Sequence, residues 1–115
     1  MEYMLLIHVN ADTDAAWAGP ERHEFETAHG GLIEELRASG ELISTRPLDD
    51  DGARIVRVRD GSPIVTDGPF AETKEQVGGY YIVDVADEQR AVELAGRLVE
   101  ARTSLVEVRR LGSGA

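Results

Sequence analysis

The segment VGGYYIVDV, residues Val77–Val85, carries the clearest strand signal of the chain. Aromatic and β-branched residues fill most of it, and such residues favour extended backbone. The pair Gly78-Gly79 near its start is typical of a bulge or of a close approach by another stretch of backbone. We therefore predict a strand here and assign the other elements around it.

Hydrophobic periodicity and turn signals predict the remaining elements. Strands are predicted over residues 2–9, 41–48, 54–59, 63–66 and 105–111, with Asp60-Gly61 as a hairpin turn. One helix is predicted from Pro20 to Ser39, with Gly40 as its left-handed cap, and a second over residues 87–101. The order β-α-β, hairpin, β-α-β predicts an α+β domain, ferredoxin-like, with a split β-α-β arrangement and an inserted β-hairpin. Both helices should cover one face of an antiparallel sheet.

The first helix carries an apolar stripe at helical spacing that should be buried. Its members are Phe25, His29, Leu32, Ile33 and Leu36. Gly30-Gly31 interrupts the pattern, and each glycine costs about 1 kcal/mol against alanine inside a helix. Two interpretations stay open. The helix is kinked or begins near Gly31, or another group passes close to the backbone beside His29.

Alternation along the strands defines the other face of the sheet, which we call the second face. It is predicted to carry Met4, Leu6, His8, Tyr80, Ile82, Asp84, Glu107 and Arg109. Half of these residues are apolar, and apolar patches of this kind often mark contacts with partners. We expect a homodimer in which two sheets face each other around a polar-lined cavity. A simple solvated face is the alternative.

Length and composition bound the classes of function. A chain of 115 residues is the usual size of one domain, which we assign to residues 1–111, with 112–115 as a tail. The net charge of −10 disfavours nucleic-acid binding, and the absence of cysteine removes disulfides and thiolate chemistry. The longest apolar run, Met4–Ile7, is too short to span a bilayer, and no signal peptide precedes it. A cytoplasmic protein without membrane contact is the expectation.

A charged loop lies between the predicted hairpin and the Val77–Val85 strand. Asp67-Gly68-Pro69 has turn chemistry, Phe70 should anchor the loop by burial, and Glu72 and Lys74 follow it. Lys74 is the only lysine of the chain. A solvated ion-pair cluster is the simpler interpretation of such charges. The alternative is a loop whose fixed geometry holds Glu72 and Lys74 beside a site.

Three stretches resemble one known family. DGPFAETKEQVGGYYIVDV looks like the signature of the DGPF branch of the YCII-related proteins, and MEYMLLIHV and VRVRDGSPIVTDGPF resemble the same family. The resemblance implies a ferredoxin-like domain that forms a dimeric α/β barrel. It implies no established reaction, but a frequent genetic link to extracytoplasmic-function sigma factors.

The resemblance also implies a candidate acid-base dyad. More distant YCII-related proteins carry a histidine eleven residues before the glycine that ends the first helix, paired with a downstream aspartate. Here His29 stands eleven residues before Gly40. Asp67 is the candidate partner, and Asp49, Asp50 and Asp51 remain alternatives. Without the resemblance, a histidine at the edge of the core with a backbone partner is the plainer interpretation.

These observations predict a small dimeric domain that binds a small molecule and acts on it by acid-base chemistry. His29 and Asp67 are the catalytic candidates, and the ligand-binding candidates are His8, Phe70, Glu72, Lys74 and Tyr80. Three scattered histidines predict no metal site, and the lack of nucleotide-binding motifs predicts no cofactor. A non-catalytic module that binds a protein partner in a sigma-factor circuit is the alternative function.

Overall fold

A computed structural model describes residues 1–49, 52–68 and 76–113 of the chain. The elements along these residues are β1 (Glu2–Val9), α1 (Ala11–Ala18), α2 (Arg22–Ser39), β2 (Leu42–Pro47), β3 (Arg54–Arg59), β4 (Ser62–Asp67), β5 (Gln76–Asp84), α3 (Glu88–Arg97) and β6 (Leu105–Arg110). A short 3₁₀ helix over Val99–Arg102 follows α3. The fold is α+β with antiparallel strands, as predicted.

The strands form two separate sheets. The larger has the order β2-β5-β1-β6, and β3 pairs only with β4 in a two-stranded sheet that we call the ribbon, Arg54–Asp67. In the larger sheet Leu5 lies opposite both Tyr81 of β5 and Val108 of β6. Two strands distant in sequence therefore flank the N-terminal one.

The glycine pair of β5 forms the predicted bulge. Ile7 lies opposite Gly79, but the next residue of β1, His8, lies opposite Val77. Gly78 is the extra residue, and a Cβ added there would lie 2.6 Å from Val9 Cγ1. A close approach of backbone occurs at the neighbouring glycine, where an added Cβ on Gly79 would lie 3.1 Å from the Arg46 carbonyl oxygen. The bulge and the close approach, which the sequence left as alternatives, are therefore both present.

The core lies between the helices and one face of the large sheet, here called the helix-covered face. The predicted apolar alternation is confirmed, since buried strand residues and buried helix residues meet in one cluster. Its members include Tyr3, Leu5, Ile7, Leu32, Leu36, Tyr81, Val83, Val85, Ala91, Leu94, Ala95 and Leu98. Of the predicted α2 stripe, Phe25, Leu32 and Leu36 are buried, whereas His29 and Ile33 are half-buried.

Helix α2 is continuous through its two glycines. It ends as predicted at Ser39, and Gly40 adopts the left-handed conformation with φ +79°. The alternative of a helix that begins near Gly31 is wrong, because α2 begins at Arg22. A Cβ at either glycine would meet nothing within 4 Å, so no described group approaches the backbone there. Phe25 and Leu36 are buried on the helical turns before and after the glycines, and their packing outweighs the low helix propensity of glycine.

Helix α1 was not predicted, because the sequence Asn10–Asp14 is rich in turn-forming residues. Here Asn10 caps the helix by accepting the Thr13 N–H at 3.0 Å, which is the capping role these residues also favour. The Asn10 amide donates to the Thr103 carbonyl at 2.9 Å, and Thr13 is fully buried. Tertiary contacts thus fix α1 at its N-terminal end.

No helix in the described parts of the chain is long and apolar enough to cross a membrane.

Candidate functional site

A cavity of about 860 Å³ lies between helices α1 and α2 and the β2-β5-β1 part of the sheet. Its apolar wall is formed by Ile7, Val9, Trp17, Ile33 and Pro47, and its polar wall by His29, Thr45, Tyr81 and Glu100. Gly79 lies opposite Ile7 and Pro47 on the helix-covered face, so the sheet has no side chain at this place. The missing side chain helps to leave the space open.

His29 is the centre of a hydrogen-bonded network in the polar wall. Its Nδ1 lies 2.6 Å from the Tyr81 hydroxyl, and its Nε2 lies 2.9 Å from each carboxylate oxygen of Glu100. The His29 side chain is 16% exposed and the Glu100 side chain 4% exposed. The network joins α2, β5 and the 3₁₀ helix.

The geometry determines which nitrogen of His29 is basic. An ionised Glu100 can only accept, so Nε2 carries a proton in either charge state of the ring. Neutral His29 then has its lone pair on Nδ1, where the Tyr81 hydroxyl donates to it. The pKa of Tyr81 is raised to about 12, chiefly by burial and also by the charge of Glu100. Tyr81 therefore remains a neutral phenol at physiological pH.

Aromatic rings surround the network. The His29 ring stacks on Tyr81 with 5.8 Å between centroids and lies 5.9 Å from the Trp17 ring. Trp17 also meets Phe25 edge to face at 5.3 Å. The imidazole is thus held on its two edges by hydrogen bonds and flanked by aromatic groups, a rigid arrangement.

Within the single chain His29 pairs with Glu100 and not with Asp67, its predicted partner. Asp67 lies at the end of the ribbon with its side chain 90% exposed, and its carboxylate faces Arg54 at 3.6 Å. Asp49 is exposed and does not line the cavity, and Asp50 and Asp51 lie outside the described residues. Among the described residues, the carboxylate that meets His29 is that of Glu100. The plainer expectation for His29 was a backbone partner, but both of its ring nitrogens contact side chains.

Of the ligand-binding candidates, the structure describes only His8 and Tyr80. His8 lies on the second face, with its Nε2 3.2 Å from Glu107, and does not line the cavity. Tyr80 contributes to the cavity wall. It lies opposite Leu6, whose side is the second face, and its carbonyl accepts from the Thr45 hydroxyl at 3.0 Å. Phe70, Glu72 and Lys74 lie outside the described residues.

Three site residues were missed from the sequence for different reasons. The sequence predicts that Tyr81 lies on the helix-covered face, but it predicts no partner for the Tyr81 hydroxyl. Trp17 lies on the unpredicted α1. Glu100 lies beyond the end of α3, where the switch to a 3₁₀ helix changes the periodicity, so no helical spacing marks it as inward-facing. In the described residues no group of three histidine or acidic side chains could hold a metal ion.

Comparison with known proteins agrees with the resemblance seen in the sequence. The family model of the YCII-related domain matches residues 1–112. An uncharacterised protein of Rhizobium meliloti (strain 1021) is 32% identical over 105 residues, which cover 90% of this chain and 85% of the relative. The matched residues include both sheets, all the helices and the His29 network. The chain belongs to the YCII-related domain family.

Proposed function

We propose that this protein binds a small molecule in the cavity beside His29 and acts on it by acid-base chemistry. The observation that carries the proposal is the His29 network, which opens on a cavity of the size that small ligands occupy, about 300–1,000 Å³. The wall is mostly apolar with a few convergent polar groups, which is the composition of ligand sites in general.

The network suggests how a proton would move. Glu100 anchors Nε2 and stabilises the charge that the ring gains on protonation, so Nδ1 is the atom that takes up or gives a proton. In the unliganded geometry Tyr81 occupies Nδ1. A ligand would therefore exchange protons with His29 by taking the place of the phenol, or through it. Catalytic hydrogen bonds are often rearranged in this way when substrate binds.

We also propose a ferredoxin-like fold that dimerises into an α/β barrel. Without the ribbon, the strands follow the order second, third, first, fourth along the sheet, as in ferredoxin-like domains. The second face is half apolar, and Met4, Leu6 and Ile82 are only partly covered in the single chain. A second sheet against this face would cover them.

Ligand binding can be followed with Trp17, the only tryptophan of the chain. Small phenolic and carbonyl compounds, with 4-nitrophenol as the first probe, should quench its fluorescence saturably. Ala18 lines the cavity and is exposed, so Ala18→Phe should block binding without disturbing the core. The matched control is Ala15→Phe, which lies on the same helix, is exposed and does not line the cavity. Equal binding by both variants would refute the site.

Acid-base chemistry needs a separate readout. A bound compound with an acidic C–H should exchange that proton for deuterium in heavy water faster with the protein than without it. His29→Gln should abolish the acceleration, because Gln cannot take up a proton in this pH range. Binding without any acceleration would leave a ligand-binding domain with no acid-base function.

The non-catalytic alternative draws support from one feature, the exposed apolar side chains of the ribbon. Such a patch on a domain of a sigma-factor circuit would be an interaction surface for a protein partner. Intact binding of a partner by a His29→Gln variant, together with no small-molecule binding, would favour this function.

A further inference from the structure

The ribbon makes no sheet with the rest of the described chain. β3 pairs with β4 alone, whereas the other four strands form one continuous sheet. The ribbon is inserted between β2, which is an edge strand, and β5. It therefore arises at one edge of the large sheet.

One face of the ribbon is apolar and exposed. In the register Val56 lies opposite Val65 and Val58 opposite Pro63, so these four residues share a face. Val58 is 72% exposed and Val56 is 59% exposed. The opposite face carries Arg57, Arg59, Ser62, Ile64 and Thr66, together with the half-buried Ile55.

A hairpin of this kind is not expected to be stable alone. Two-stranded hairpins are marginal in water unless a third strand or a packed element covers an apolar face. Exposed apolar strands also tend to associate with other chains. The apolar face of the ribbon is therefore suited to contact with another molecule.

The dimer proposed above would need more surface than the second face provides. A stable interface has roughly 20–30 residues on each side. The strand register places thirteen residues on the second face, the eight predicted ones together with Glu2, Ser44, Arg46, Val77 and Leu105. Among them, Asp84 and Arg109 are exposed and charged. The ribbon arises at an edge of the same sheet, so its apolar residues would add to that surface.

Charge also favours a second copy as the partner. The ribbon carries Arg54, Arg57 and Arg59 against Asp60 and Asp67, which gives a net charge of +1 within a chain of net charge −10. Two acidic chains repel each other in general. The positive ribbon of one copy, however, would be attracted to the negatively charged rest of the other copy.

We propose, resting on the dimer proposed above, that the ribbon is an arm whose Val56, Val58 and Val65 face packs on a second copy of this chain. The arm and the second face together form one interface. The ribbon thereby gains the cover that a lone hairpin lacks, and the dimer gains the apolar area that the sheet lacks.

Sedimentation equilibrium of the full chain with three variants tests the arm. The first is Val56→Lys with Val58→Lys, which places charges on the apolar face. The second is Ser62→Lys with Thr66→Lys, which adds the same charge to the opposite face of the ribbon. The third is Tyr80→Asp, which reports on the second face. We expect the first to raise the dimer dissociation constant at least about tenfold, as for loss of a central apolar contact. The second should match wild type.

Each outcome decides the proposal. Equal dissociation constants for wild type and the valine variants, with Tyr80→Asp monomeric, would show that the dimer exists without the arm and would overturn it. An equal rise in the dissociation constant for both ribbon variants would show that the added charge alone weakens the dimer. This result would also overturn the proposed arm. A monomeric wild type would refute the dimer and the arm together. Circular dichroism confirms that each variant is folded.

Discussion

The two faces of the large sheet each hold a histidine paired with a glutamate, but in different surroundings. On the helix-covered face, His29 and Glu100 have side chains 16% and 4% exposed, and Tyr81 completes the network. On the second face, His8 and Glu107 are 20% and 41% exposed at 3.2 Å, and Arg109 lies 3.3 Å from the same glutamate.

The difference shows that the contribution of such a contact to stability depends on burial rather than on pairing. Water can replace either partner of His8–Glu107, and Arg109 already shares the carboxylate. The Glu100 side chain is only 4% exposed, so loss of His29 removes the main partner of a nearly buried carboxylate. The helix-covered pair is consequently rigid and suited to a site, whereas the second-face pair can rearrange when a partner covers it.

Removing each glutamate in turn should give the largest difference in stability between the two faces. Glu100→Ala leaves the Nε2–H of His29 buried and unpaired, and we expect a loss of about 3–5 kcal/mol in the free energy of unfolding. Glu107→Ala, the matched change on the second face, should cost less than about 1 kcal/mol. Urea denaturation of the two variants measures both. Similar losses would mean that burial does not separate the two faces.

Strand β5 has side chains on both faces of the sheet, and its Gly78 bulge offers a second test. Gly78→Ala should destabilise by about 1–3 kcal/mol, because the new Cβ overlaps Val9 at 2.6 Å. Gly30→Ala is the control, since the space there is open, and it should stabilise α2 by up to about 1 kcal/mol. Thermal denaturation compares them. An unchanged melting temperature for Gly78→Ala would show that Val9 moves aside freely.

The phenol of Tyr81 is what distinguishes the first network from the second. Tyr81→Phe should cost about 1–3 kcal/mol, because Nδ1 of His29 loses its donor inside the protein. Nitrogen-detected NMR of the wild type should show that the neutral form of the His29 ring has its proton on Nε2. A proton on Nδ1 would contradict the role given to Glu100. His8 should show no fixed tautomer.

The smallest effect concerns an ion pair near the solvent. The Arg90 guanidinium, with help from Ser39, lowers the pKa of Glu41 from 4.5 to about 2. A lowered folded-state pKa stabilises the fold above pH 4.5 and loses that contribution as the pH falls toward 2. Both partners are partly exposed, so the effect should stay below about 1 kcal/mol. Glu41→Gln should remove this acid dependence, as acid titrations of the two proteins would show.

Local patterns predicted most of the fold because alternation and helical spacing are properties of neighbouring residues. The strands, the Gly40 cap and the division of the sheet into two faces follow from them. Helix α1 does not, since the residues from Asn10 to Asp14 suit a turn as well as a cap, and buried Thr13 decides between them.

The site was less accessible to sequence because its partners are distant along the chain. His29 was found, but Glu100 is 71 residues away and follows a break in helical periodicity. An aspartate carried over from relatives was expected instead. Only the packing of the 3₁₀ helix against α2 brings a glutamate to that place.

The Gly78 bulge has a consequence for the volume beside His29. In a regular strand Val77 would lie beside Val9, on the same side as Tyr81. The extra residue moves Val77 opposite His8 and puts Gln76 opposite Val9. One inserted glycine, which itself lies in the cavity wall, therefore takes a branched apolar side chain away from the cavity. In evolutionary terms, a change of one residue in strand length can open or close binding space in this architecture.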